Sequence, residues 1–287
     1  MKKIIIIFSA VVITSTVALA QSTGALNLPA GQKYLVENKI TTSSSSEMMG
    51  QTMESKADVS SNYRIEVKDI KGENINFVNT ITAMKMSVNA MGQDMNFDSD
   101  KKEDMDGDIG KNFKDIINQP KDVVMDKSGN VILKEKTDTA SETNSSANPT
   151  EMMMKQLGGD PAEQGYGAKM AFEIIPKGFK AGSTWSDSSS KNGITKVTNY
   201  TLKEINGDDY TISFAGTMDS NVKTEMQGME IETKTKGKFT GEEIVNAKTG
   251  VIKKNTTNSD ASGTVNVMGQ EIPTSSKITS ITTVTTL

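Results

Sequence analysis

The sequence predicts a mostly β, antiparallel protein whose two related halves form a curved open barrel or clam, with short central helices. Three observations carry that reading. A Gly set among symmetric apolar residues recurs in "EMMGQTME", "NAMGQDMNF", "TEMQGMEI" and "NVMGQEIP", as expected of glycine-tipped hairpins. The residues entering the second copy alternate, Met84, Met86, Val88 and Ala90 against Lys85, Ser87 and Asn89, which is the period of a strand with one apolar face. Further turn signals punctuate the chain at Gly72, Gly129, Gly193, Gly207 and Gly250, each between stretches of strand character.

Taken as a two-residue loop, "NAMGQDMNF" places Gly92 and Gln93 at the tip, with Gly in the first central position of a type II′ turn. Met91 then faces Asp94, Ala90 faces Met95 and Val88 faces Phe97. The same construction pairs Met48 with Met53, Met226 with Ile231 and Val267 with Ile272. Such apolar cross-strand pairs contribute roughly 0.2–1 kcal/mol each and hold a register that a slip of one residue would invert.

"NYRIEV" from Asn62 and "NYTLKEI" from Asn199 each lead through a Gly turn and a long strand to one of these hairpins, at Gly92 and Gly228. The repeated order suggests a duplication over residues 30–140 and 183–260, chance similarity of Thr-rich strands being the plain alternative. The expected organisation is a signal peptide over 1–20, a first β half over 21–138, a polar linker and helical insertion over 139–182, and a second β half over 183–287. Within the insertion, Thr150 caps a short helix through Met152, Met153, Met154 and Leu157, and a second helix runs from Pro161 to about Phe172. Phe113, Ile116 and Ile117 make a further short amphipathic piece. The C-terminal "KITSITTVTTL" is read as strand from its β-branched content.

The first twenty residues have the form of an export signal: Lys2 and Lys3, the apolar run from Ile4 to Val17, and "ALA" ending at Ala20. Cleavage there predicts a periplasmic or secreted protein with no transmembrane segment. Both lysines leave with the leader, so 30 of the 32 basic residues remain against 36 acidic ones. With the two signs interleaved, no nucleic-acid partner is expected. The chain has no Cys, hence neither disulfides nor a lipid-carrying cysteine, and stability must come from burial. Only 35% of residues are hydrophobic and 5% aromatic, which fits a thin core beneath sheets whose other face meets water.

The export signal, "LNLPAGQKY" at Leu26–Tyr34, "IIPKGFKAGSTW" at Ile174–Trp185 and the strand–"DKSGNV"–strand unit together resemble an uncharacterised family of secreted proteins from Bacteroidota, domain of unknown function 6263. The resemblance extends over nearly the whole mature chain and implies no catalytic residues. More distantly, long antiparallel strands with helices between two halves are similar to the lipoprotein-carrier half-barrels of bacterial envelopes, a likeness of architecture that does not fix function.

With no His and no Cys, the usual general base, the Ser-His-Asp triad, thiol nucleophiles and ordinary zinc sites are all missing, so a non-enzyme without cofactor is expected. Asp104, Asp106, Asp108 and Asp115 mimic the spacing of a calcium loop, but Ile109 stands where that loop requires Gly, and a solvated acidic loop is the simpler reading. Eighteen Met residues invite thoughts of thioether copper ligands, yet they follow the apolar side of strands and read instead as flexible core filler or an adaptable greasy surface. Trp185 reads as a packing anchor.

The resulting expectation is an exported, non-catalytic protein that binds an apolar or lipid-like ligand. Met84, Met86, Val88, Met95 and Phe97 would line its site, and Met152, Met153 and Leu157 would form a lid or, equally, a plain connector. The competing class is a structural or interaction component of the cell surface with no small-molecule ligand, its Ser- and Thr-rich strand faces meeting proteins or glycans.

Overall fold

The structure is a computed structural model and describes residues 24–132 and 165–287, apart from positions 49, 91, 192, 227, 228 and 268. The signal segment and the Met152–Leu157 stretch lie outside the described residues. Twelve strands form one open antiparallel sheet: β1 (Lys33–Met48), β2 (Gln51–Lys71), β3 (Asn74–Ala90), β4 (Gln93–Asp98), β5 (Lys121–Asp126), β6 (Val131–Ile132), β7 (Thr184–Lys191), β8 (Ile194–Asn206), β9 (Asp209–Met226), β10 (Met229–Asn246), β11 (Val251–Val267) and β12 (Gln270–Thr286). The order across it is β6-β5-β3-β2-β1-β12-β11-β10-β9-β8-β7, with β4 on the part of β3 that β5 leaves free. The long strands, at up to 21 residues, span on the order of 60–70 Å. Strands β1–β6 and β7–β12 meet through β1 and β12, and the sheet never closes.

The fold class is as the sequence predicts, and each glycine-tipped hairpin is present, but each turn sits one residue earlier. Ala90 pairs with Gln93, Val88 with Met95 and Met86 with Phe97. Likewise Met48 pairs with Gln51, Met226 with Met229, and Val267 with Gln270, in place of the partners expected two residues further on. Gly50, Gly92 and Gly269 have φ of 75°, 75° and 85°, so Gly takes the second tip position, where a left-handed backbone is needed. A shift of two leaves every side chain on its expected face, which is why the alternation survives the error.

One face, here called the front, holds the core. On β2 it takes Ala57, Val59, Ser61, Tyr63, Ile65 and Val67, all buried and all odd-numbered. On β3 it takes Ile75, Phe77, Asn79 and Ile81, then Met84, Met86 and Val88, so the parity changes. The cause is a β-bulge: Asn62 pairs with Ala83 and Tyr63 with Ile81, leaving Thr82 extra, its hydroxyl donating to the Asn62 carbonyl at 3.3 Å. Without it, one end of β3 would turn its apolar residues to water.

Three short helices, α1 (Lys102–Asp106), α2 (Asp108–Lys111) and α3 (Tyr166–Ala171), cover the front of β1–β5 together with the Leu26–Leu28 segment and residues 112–117. Phe172 stacks on Phe77 at 5.4 Å and meets Tyr34 edge-on at 5.6 Å, while Phe113 packs on Phe97 at 5.2 Å. Each such fully buried apolar side chain is worth about 1.5–3 kcal/mol. The helix predicted from Pro161 is described only over Tyr166–Ala171, capped by Gly165 at φ 82° and ended by the extended Phe172. The amphipathic piece at Phe113–Ile117 is a turn, not a helix, because Ile117 bridges to Ile81 of the sheet. The C-terminal segment is strand β12, with Thr282 and Val284 buried against β1.

Candidate binding face

Beyond the helices the front of β8–β11 is built differently. Two glycines lie opposite two phenylalanines: Gly216 of β9 pairs with Phe239 of β10, and Gly241 of β10 with Phe214 of β9. A Cβ on Gly216 would stand 2.4 Å from Phe239 Cζ, and one on Gly241 2.3 Å from Phe214 Cζ. Each ring therefore lies down over its glycine. The rings continue an aromatic row in which Phe179 meets Trp185 at 5.4 Å, Trp185 stacks on Tyr200 at 5.0 Å, and Tyr200 leans on Phe214 at 6.1 Å. Trp185 is the packing anchor the sequence suggests.

Among these rings sits a group of ionisable side chains. Glu243 of β10 is buried, its Oε2 accepting from Asn255 Nδ2 at 2.9 Å and its Oε1 without a partner among the described residues. Glu173, on the segment after α3, accepts at Oε1 from the Ile174 N–H at 3.0 Å. Burial pushes Glu173 up to about 7, helped by the charge of Asp187. Burial likewise pushes Glu243 up to about 8, helped by Glu173. The protons belong to the pair rather than to either residue. Lys196 of β8 holds its ammonium 4.6 Å from the centre of the Phe239 ring, a cation–π contact. Burial lowers its pKa, against the pull of Glu173, Asp187 and Glu243. Tyr200 is raised far above its ordinary range, by burial first and then by the same carboxylates.

Towards the hairpin tips this face continues through Met218 and Val222 of β9, Ile231 of β10, and Val265 and Val267 of β11. Ile231 is buried and the others are half-buried, around a floor of Gly237, Ala261 and Gly263. Of the described helices, α3 packs on β1–β3 and β11 towards the opposite end, and α1 packs on β4, on the far side of the sheet from this strip. The strip has no described helix over it.

The residues expected to line a ligand site are distributed unevenly. Met84, Met86, Val88 and Phe97 come together on one face, but as core: they are 1–6% exposed and pack with Phe113, Met105 and Ile109. Met95, near the tip, is 42% exposed. Met152, Met153 and Leu157 lie outside the described residues. Two cavities, of about 390 and 590 Å³, are lined by other residues: the first by the Gly24–Asn27 segment with Glu173 and Ile174, the second by serines and charged side chains of β1, β2, β11 and β12. Sequence reasoning missed Glu173, Lys196, Glu243 and the ring pairs. Signals for two existed, since Lys196 and Glu243 occupy the inward parity of "ITKVTNYTL" and "FTGEEIV".

In the acidic loop, Asp106 pairs with Lys114 at 3.0 Å, Asp108 pairs with Lys111 at 2.8 Å, and Asp104 accepts the Asp98 N–H at 2.8 Å. Among the described residues no group of three or more Asp or Glu is placed to hold a metal ion. No described helix is long and apolar enough to cross a membrane.

Among solved structures, lipovitellin is similar at a TM-score of 0.45 and 11% identity, over 88% of this chain and 25% of the lipovitellin chain. This chain thus spans a quarter of that protein's length. An outer-membrane channel from Pseudomonas putida F1 is similar at 0.26 and 8% identity, over 91% and 98% of the two chains. The translocator domain of the autotransporter NalP from Neisseria meningitidis is similar at 0.21 and 5%, over 90% of each. Likenesses this weak carry no inference about function. No curated protein matches the chain in sequence. Residues 72–252, from the β2–β3 turn into β11, match a family described as "Family of unknown function (DUF6263)", and the chain belongs to that family.

Proposed function

We propose that the protein is an exported, non-catalytic binding protein of the cell envelope that holds an apolar or lipid-like molecule against the front face of β8–β11. One observation carries this reading: the strip of Met218, Val222, Ile231, Val265 and Val267 runs on from the aromatic row with no described helix over it, whereas the matching apolar face of β2–β4 is filled by α1, α2 and Phe113. Half-exposed aliphatic side chains over a floor of small residues suit a flexible chain whose shape varies. The site expected at Met84 and Met86 moves to the other end of the sheet. Glu243, Glu173 and Lys196 stand where the strip meets the covered region and are positioned to hydrogen-bond a polar head.

Native mass spectrometry of gently purified protein tests the proposal, followed by titration of the delipidated protein with lauric acid. Co-purified lipid, or laurate binding that is lost in M218D/V222D at unchanged melting temperature, supports it. A bare apo mass together with no laurate binding would overturn it.

A further inference from the structure

The opposite face of the sheet, the back, carries a second feature at its centre. Where β2, β1, β12 and β11 lie side by side, Glu54, Ser45, Ser275 and Ser262 occupy one row across the strands, and Lys56, Ser43, Lys277 and Asp260 the next. The small serines leave a trench between taller side chains, and the cavity there measures about 590 Å³. Four strands side by side give it a length of roughly 14 Å.

Two properties separate this trench from the rest of the back face. Its charges are unspent: Glu54, Lys56, Asp260 and Lys277 make no ion pair within 4.0 Å among the described residues, although Asp260 and Lys277 are direct cross-strand partners. Nearby back-face charges do pair, Lys236 with Asp219 at 3.4 Å and Lys223 with Glu230 at 2.8 Å. Every side chain that the back face gives to the lining is a serine or a charged residue, although the lysine stems and serine methylenes expose about as much apolar as polar surface.

From this lining we infer that the trench binds a neutral carbohydrate chain laid across the strands. Ser45 and Ser275 share a hydrogen bond at 2.9 Å and keep acceptor capacity beyond it; because hydroxyl groups both donate and accept, a sugar can bond to these serines, both carboxylates and both ammonium groups without bringing a charge that one pair would repel. Successive strands offer a hydroxyl every ~4.8 Å, a spacing that an extended polyhydroxylated chain can follow. A peptide fits less well. It recognises sheets by adding to an edge, and β1, β12 and β11 are interior strands whose backbone groups are used on both sides.

The inference is independent of the front-face proposal, and its test does not involve lipid. The full-length mature protein is titrated with maltohexaose and with cellohexaose by calorimetry, alongside Ser275→Trp and Ser262→Trp, which fill the trench from exposed positions, and Thr240→Trp on the same face two strands beyond β12. Binding of either hexaose, weakened about tenfold or more by the trench variants and unchanged in Thr240→Trp, supports the inference. Binding of neither hexaose, equal binding by the trench variants, or capture of a Ser/Gly hexapeptide in their place overturns it.

Discussion

The front of β1–β5 and the front of β8–β11 are the same kind of surface, one side of one antiparallel sheet, completed in opposite ways. At the first, strand residues are large and apolar, and Phe172, Phe113 and the short helices seal them from water. At the second, Leu202, Ile212, Val245 and Ile252 form a small buried cluster beneath Ile175 and Phe179; beyond it Phe214 and Phe239 lie across Gly241 and Gly216, and the other inward positions go to Lys196, Glu243 and the half-buried strip. A sheet face can be closed by packing another layer on it, or left accessible by folding side chains down onto it. Only the second leaves room for something else.

Breaking the sealed face should give the largest effect. Phe172 touches both Tyr34 and Phe77, and its segment bridges to Val251 of β11, so it joins strands from both ends of the chain. Phe172→Ala is expected to cost about 3–5 kcal/mol in urea unfolding, with the loss spread over the whole transition. A cost near that of a surface change would mean that the helical cover contributes little and that the two faces differ less than their packing suggests.

The next test uses the titrating pair, which belongs to the open face alone. Glu173 and Glu243 have folded-state pKa values raised from 4.5 to about 7 and about 8, so the folded chain holds their protons more tightly than the unfolded one. That stabilisation is complete below the unfolded value and is lost as pH rises through the folded values. Stability should therefore fall between pH 5 and pH 9. Lys196, whose folded pKa is lowered, acts in the opposite sense, beginning as pH rises through its folded value and complete above its unfolded one. Glu243→Gln keeps an acceptor for Asn255 and should flatten the profile, leaving the variant more stable than the parent at pH 9. A profile of unchanged slope in Glu243→Gln would show that Glu243 is not among the titrating groups.

Much of this contrast was legible in the sequence, and what was not has identifiable causes. Strand period, hairpin positions and the inward set of Met84, Met86 and Val88 follow from alternation, which depends only on side-chain parity. The turn type was off by one because Met-Gly and Gly-Gln tips preserve the same parity, so the pattern cannot tell them apart. The Thr82 bulge was invisible because Thr at that place breaks no hydrophobic run. Which apolar face would be covered was equally hidden, since the cover comes from residues 102–117 and 166–172, whose own patterns are too short to show what they pack on. Lys196 and Glu243 were passed over because polar residues at inward parity look like interruptions until neighbouring rings and glycines explain them.

A smaller effect comes from the glycines beneath the rings. Gly241→Ala forces a methyl against both the Phe214 ring and the Thr256 carbonyl, so it must lift the ring and shift the neighbouring strand, at about 1–3 kcal/mol, with a change in near-ultraviolet circular dichroism from Tyr200 and Trp185 next to the ring. An unshifted spectrum would mean that the ring is free to move at no cost and that the aromatic row is not a fixed platform.

The smallest expected effect sharpens the comparison most. Val88 and Val222 are both front-face valines on long strands, the first 6% exposed under the Phe97–Phe113 pair and the second half-buried on the open strip. Replacing each with Ser removes the same methyl groups. At Val88 the change leaves a cavity and buries a hydroxyl, for about 2 kcal/mol or more. At Val222 water already reaches the side chain, so melting temperature should stay within the range of ordinary surface substitutions, about 0.5 kcal/mol. If Val222→Ser proved as costly as Val88→Ser, the strip would have to be sealed in the folded protein, and the difference between the two faces would vanish with it.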